Sequence, residues 1–106
     1  MTETSFATWS LAPGASAPPL EGQGASLRRV EVPAGHVAQR HSHAHEQFLL
    51  VAAGRGTLQC EAGEIGLAPG VVIHLAAGAW HAAEFETPTV LVEVNLAGRE
   101  AGSFLG

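Results

Sequence analysis

The sequence predicts an all-β domain, a sandwich or closed barrel of the jelly-roll kind. Three observations carry that prediction. Beyond residue 26 the chain is a series of short apolar runs cut by Gly and Pro at intervals suited to strands. β-Branched residues concentrate at 71–73 and 90–94, where a pleated, half-buried backbone accommodates them. No segment shows the period of an amphipathic helix. Eight short strands in so few residues suit two Greek-key sheets enclosing a cavity.

The elements follow in order. Residues 1–26 are rich in Ala, Gly, Pro and Ser, and Pro13, Pro18 and Pro19 interrupt any regular structure. Phe6, Trp9, Leu11 and Leu20 are the apolar groups there that can dock, so this segment reads as an arm crossing the domain or reaching a second subunit. Residues 27–106 form one domain, as a 106-residue chain allows. Strands are expected at 27–32, 37–43, 47–53, 56–61, 63–68, 71–76, 80–86 and 89–96. The breaks are Pro33-Ala34-Gly35, Ala44–Glu46, Gly54-Arg55-Gly56, Ala62-Gly63, Pro69-Gly70, Ala77-Gly78-Ala79 and Thr87-Pro88.

Composition excludes several functions. The formal charge is −5, and the cations are five arginines with no lysine and no basic run. A nucleic-acid footprint and a polybasic membrane anchor are therefore not expected. No apolar run reaches the length of a membrane span, and no charged segment followed by an apolar one marks a signal peptide. A cytoplasmic protein is the expectation. Cys60 is the single cysteine, so no intrachain disulfide can form, and it reads as a small apolar filler. Asp is absent, leaving Glu to supply any carboxylate chemistry.

The run His41-Ser42-His43-Ala44-His45-Glu46-Gln47 is the candidate functional segment, with His81 downstream. Imidazole is the commonest metal-binding side chain. These groups converge if a strand ends near His43, turns, and restarts at Gln47. The alternative is a hydrogen-bonded polar core without metal.

Glycines frame these residues in two boxes. One runs Gly35, five residues, His41, one residue, His43, three residues, Gln47, six residues, Gly54. The other runs Gly70, five residues, Ala76, one residue, Gly78, two residues, His81. The pair resembles the two motifs of the cupin superfamily, and the resemblance covers residues 35–85. It departs from the pattern where Gln47 stands for the usual Glu, Ala76 for the usual Pro and Phe85 for the usual terminal Asn.

The resemblance implies a double-stranded β-helix barrel in which His41, His43, Gln47 and His81 bind one divalent transition metal, Ni, Zn, Mn, Fe or Co. Alternation along a strand would put positions 41 and 43 on one face. The donor set lacks thiolate, which disfavours structural zinc. A neutral amide leaves the ion's full charge in place, favouring an anionic substrate. His45, in the turn, is expected outside the ligand set, and His36 at the surface. His74 is a candidate acid/base lining the cavity, with a purely structural role as its alternative. Trp80 either caps the pocket or packs in the core.

The last strand carries Leu91-Val92-Glu93-Val94-Asn95-Leu96, followed by Arg99. Alternation puts Glu93 and Asn95 on one face, either the cavity or a solvated edge. The box is also similar to that of small cupins of pectin and alginate breakdown, which have a His/His/Gln/His metal set. In that family an acid on the last strand and an Arg six residues on act on an unsaturated uronate. Glu93 and Arg99 match them, and Asn95 stands where an aromatic residue is expected.

The expected function is a metal-dependent isomerase, lyase or cyclase acting on a small anionic, oxygen-rich molecule, a sugar acid or polyketide-like compound. Glu93, or His74, would move the proton and Arg99 would clamp a carboxylate. The alternatives are an Fe(II)-dependent dioxygenase and a non-catalytic small-molecule-binding cupin. A homodimer is expected, with the arm and the outward-facing Phe48 and Leu50 buried between subunits.

Overall fold

Nine strands account for the regular structure of the computed structural model, which describes residues 10–12, 14 and 17–97. They are β1 (Leu20–Glu21), β2 (Ala25–Val32), β3 (Val37–His41), β4 (Gln47–Ala53), β5 (Gly56–Cys60), β6 (Gly63–Leu67), β7 (Val72–Leu75), β8 (His81–Phe85) and β9 (Thr89–Leu96). They form a five-stranded sheet in the order β1-β2-β9-β4-β7 and a four-stranded sheet in the order β3-β8-β5-β6. Every pairing is antiparallel. From β2 onward the chain shuttles between the sheets, with only the β5–β6 hairpin staying within one, which is the double-stranded β-helix form of the jelly roll. No described residue is helical, so no helix is long and apolar enough to cross a membrane.

Alternation builds the core. On β4, Gln47, Leu49 and Val51 are buried while Phe48 and Leu50 are half-buried on the other face. On β7, Ile73 and Leu75 point inward and Val72 and His74 outward. The inward rows meet Leu58, Leu67, Ala83 and Phe85 of the second sheet and Leu91 of β9. Burying a Leu or Phe side chain stabilises a fold by about 1.5–3 kcal/mol, so these rows hold the sheets face to face. Cys60 packs against this cluster as a small filler.

Two features differ from the sequence expectation. β1 lies within the Pro- and Gly-rich segment, where it pairs Leu20 with Leu27 and Glu21 with Ser26. β3 stops at His41, short of His43, and its register with β8 shifts between Ala38 and His41. Such a bulge adds a residue to one strand and bends it. His43 therefore lies past the strand, and strict alternation is not what brings it to His41.

Ala12 and Gly14 meet the outer face of the five-stranded sheet. Arg29 donates to the carbonyl oxygen of Ala12 at 2.7 Å, and the Gly14 amide donates to Glu31 at 3.0 Å. Arg29 and Glu31 are themselves paired. Phe6 and Trp9 lie outside the described residues.

Candidate metal centre

Three histidines converge at one end of the barrel. His41 and His81 are direct partners across β3 and β8, with ring centroids 4.2 Å apart. The His43 ring stands 5.0 Å from His41 and 5.5 Å from His81. One nitrogen from each ring can be chosen so that all three lie within 4.8 Å of one another. The two glycine boxes are tied together here, because the Gly78 amide donates to the His43 carbonyl oxygen at 2.7 Å.

Two of the rings, His41 and His81, are oriented through their other nitrogens. His41 Nδ1 lies 2.7 Å from the Gln39 carbonyl oxygen, and His81 Nδ1 lies 3.4 Å from that of Ala79. A carbonyl accepts, so these contacts place the proton on Nδ1 and leave Nε2 with a free lone pair. That is how proteins orient metal-binding imidazoles. The proton affinities agree. Burial lowers the His43 pKa from 6.5, the neighbouring His41 and His45 lower it further, and Glu93 opposes them. Burial, then His41, lowers that of His81, against the raising effect of the Ala79 carbonyl and with a further lowering by His43. Lowered proton affinity at His43 and His81 suits a divalent ion better than a protonated polar core.

Gln47 opens β4 and is 4 % exposed. Its Nε2 donates to Asn95 Oδ1 at 2.7 Å, and Asn95 is its direct partner across β4 and β9. His45 Nε2 meets the same oxygen at 3.0 Å, with its ring 5.3 Å from that of His43. His45 is outside the three-histidine group, as expected, but it packs beside it.

A cavity of about 180 Å³ extends inward from the cluster. His41, His81 and Glu93 border it, and most of the remaining wall is apolar, including Val30, Leu49, Leu58, Phe85 and Leu91. Glu93 thus belongs to the cavity side of β9. His36, expected at the surface, is exposed yet also borders this cavity, with its ring 6.1 Å from Phe85.

His74 is not among these groups. Since Ile73 and Leu75 fill the core, the alternation of β7 turns His74 outward, where it pairs with Glu46 and lies 5.0 Å from the Phe48 ring. This corrects the expectation that it lines the cavity. Trp80 is half-buried, with the Arg40 guanidinium 4.1 Å above its ring. Arg99 lies outside the described residues.

One cation escaped the sequence reading. Arg28 stands directly opposite Glu93 in the β2–β9 pairing. It shares a strand face with Val30 and Val32, both of which line the cavity. It is exposed and forms no ion pair among the described residues. Alternation from Val30 was the available signal, but it becomes informative only once the β2–β9 register is known.

The profile of the family described as "Cupin domain" matches residues 28–95. Similar solved structures include KdgF from Halomonas sp., with a TM-score of 0.68 and 21% identity over 74% of this chain and 74% of that one. The DMSP lyase DddQ from Ruegeria pomeroyi DSS-3 superposes with a TM-score of 0.68 and 22% identity. That match covers 76% of this chain but only 42% of DddQ. A cupin superfamily protein from Desulfitobacterium hafniense DCB-2 gives a TM-score of 0.65 at 14% identity, over 72% of this chain and 70% of that one. Likeness at these identities extends to the fold. No curated protein matches the chain.

Proposed function

The chain belongs to the cupin domain family, and from that premise we propose that it is a metal-dependent isomerase, lyase or cyclase acting on a small anionic, oxygen-bearing molecule. The observation that carries this reading is a carboxylate, Glu93, bordering the same cavity as the histidines. His41, His43 and His81 would hold the ion, with the Gln47 carbonyl oxygen as fourth donor. When bound, a divalent metal polarises a carbonyl or hydroxyl oxygen and stabilises the negative charge that develops there.

The protein's own groups supply the rest. Glu93 accepts a proton from the substrate at a carboxylate oxygen and returns it at another position or to a leaving group. Arg28, across from Glu93, offers a guanidinium fork that fits a carboxylate and orients the anion. This gives Arg28 the part expected of Arg99. The apolar wall holds an unfunctionalised flank of the substrate and keeps water from the reacting atoms. A cavity of 150 Å³ lined by Leu, Ile and Phe holds a benzene ring, so the space of about 180 Å³ here admits a group of that size. This supports a polyketide-like or otherwise partly apolar anion over a sugar acid hydroxylated all round.

The test is turnover of a panel of aromatic and aliphatic keto acids and uronates by protein loaded with Ni, Zn, Mn, Co or Fe(II). Glu93→Gln should lower kcat by ~10²–10⁴-fold while metal content is kept, as expected for loss of a general acid/base. Full turnover by Glu93→Gln refutes the role. Oxygen consumption confined to the Fe(II) form would replace this reading with a dioxygenase, and binding without product would replace it with a binding protein.

A further inference from the structure

We propose that Asn95 is a positioning residue of the metal centre, aiming the carbonyl oxygen of Gln47 at the ion and turning its NH2 away. The proposal rests on the reading of the three histidines as metal ligands. It concerns a requirement that an amide has and a carboxylate does not.

A carboxylate presents an acceptor oxygen whichever way it is turned. A glutamine presents a carbonyl oxygen or an NH2 group of nearly the same shape, and only the oxygen binds a cation. A site with Gln in place of Glu therefore needs a second group to select the end that faces the metal. Asn95 is placed to do so. It is directly opposite Gln47 in the β4–β9 register, and its Oδ1 accepts from Gln47 Nε2 at 2.7 Å. With the NH2 held there, Gln47 Oε1 is left for the ion.

His45 makes the arrangement firmer. Its Nε2 reaches the same Asn95 oxygen at 3.0 Å. Two donors converging on one atom require that atom to be an acceptor, so His45 carries its proton on Nε2. Its Nδ1 is then a lone-pair nitrogen, buried and without a partner among the described residues. The network could be satisfied in the opposite sense, with Asn95 donating to Gln47 Oε1 and to His45 Nε2. That sense would leave the Gln47 NH2, and not its Oε1, as the free end of the amide, which repels a cation. The orientation found is the one that can bind metal.

The test is a set of Co(II) titrations read by visible absorption and by competition with a chelator. Asn95→Leu removes the acceptor and should weaken Co(II) binding ~10–100-fold, the usual cost of losing a group that orients a ligand. The absorption bands should shift as the amide oxygen leaves the donor set. Asn95→Asp, which can only accept while ionised, should bind Co(II) at least as tightly as wild type. The effect of Asn95→Leu should shrink to less than about threefold in a Gln47→Glu background, where no aiming is needed. Should Asn95→Leu fail to fold, Asn95→Ala takes its place in the same cycle.

Wild-type affinity in Asn95→Leu, or an equal loss in the Gln47→Glu background, overturns the positioning role alone. Absence of Co(II) binding by the wild-type chain overturns the metal centre and this role with it.

Discussion

Substituting Gly54 by alanine should destabilise the protein far more than the same change at Gly35, although both glycines frame the same histidine box. Both have positive φ, +99° at Gly54 and +82° at Gly35. Forcing a side chain into that region costs about 1–2 kcal/mol at either position. Their surroundings differ. A Cβ on Gly35 would meet no heavy atom within 4 Å. On Gly54 it would stand 2.3 Å from Thr89 Oγ1 and 2.5 Å from both the Pro88 carbonyl oxygen and Thr89 Cα. Thr89 is 1 % exposed and its hydroxyl donates to the Thr87 carbonyl oxygen at 2.8 Å, so it has nowhere to retreat. Overlap of this kind adds about 1–3 kcal/mol. The expected losses are about 1–2 kcal/mol for Gly35→Ala and about 2–5 kcal/mol for Gly54→Ala. Urea denaturation followed by circular dichroism measures both, and thermal melts should separate the variants by at least roughly 4 °C. β4 puts Gly54 roughly 20 Å from Gln47, so metal affinity of the folded Gly54→Ala protein should be unchanged. Equal losses at the two glycines would refute the close-approach argument.

Three further outcomes are expected. Saturating metal at 100 times its Kd should raise unfolding stability by about 2.7 kcal/mol; His81→Ala should abolish that rise, and a calorimetric scan showing it intact would remove His81 from the site. In the metal-free protein, His43 and His81 bind protons less readily than in the unfolded chain, whose value is 6.5. Their contribution is therefore full above that value and is lost as pH falls through the lower folded values; melts between pH 7 and pH 4.5 showing no decline on the acid side would contradict it. The outward row Phe48, Leu50 and the exposed Val72 should be buried in a homodimer, and light scattering at micromolar concentration should give twice the chain mass.

The strand map was legible because its boundaries are made of residues with local reasons to break a strand. Pro33-Ala34-Gly35, Gly54-Arg55, Pro69-Gly70 and Thr87-Pro88 all separate strands where expected. β1 was not legible: two residues in a Pro-rich segment pair only because β2 offers them an edge. The bulge in β3 was hidden for a similar reason, since it arises in the pairing with β8. The three histidines could be read from spacing because glycine turns fix where each box starts and stops. The groups around them could not. That Asn95 meets Gln47, or that Arg28 faces Glu93, depends on which strands flank β9 and in what register. For His74 the alternation itself was sufficient, because Ile73 and Leu75 claim the core face.

The hydrogen bond from Gly78 to His43 joins segments that are distant along the chain. Before β3 docks on β8, a metal ion meets only the His41–His43 pair, with His81 on a separate stretch of moving polymer. Recruiting the third imidazole then requires closing a long loop, whose entropic cost falls on the binding event. Once β3 has paired with β8, the fold has already borne that cost. On the proposed metal reading, a nascent or heat-unfolded chain would thus be a poor competitor for scarce metal and the finished barrel a better one. Loading would then follow folding, and a bound ion would latch the β3–β8 pairing, slowing its opening.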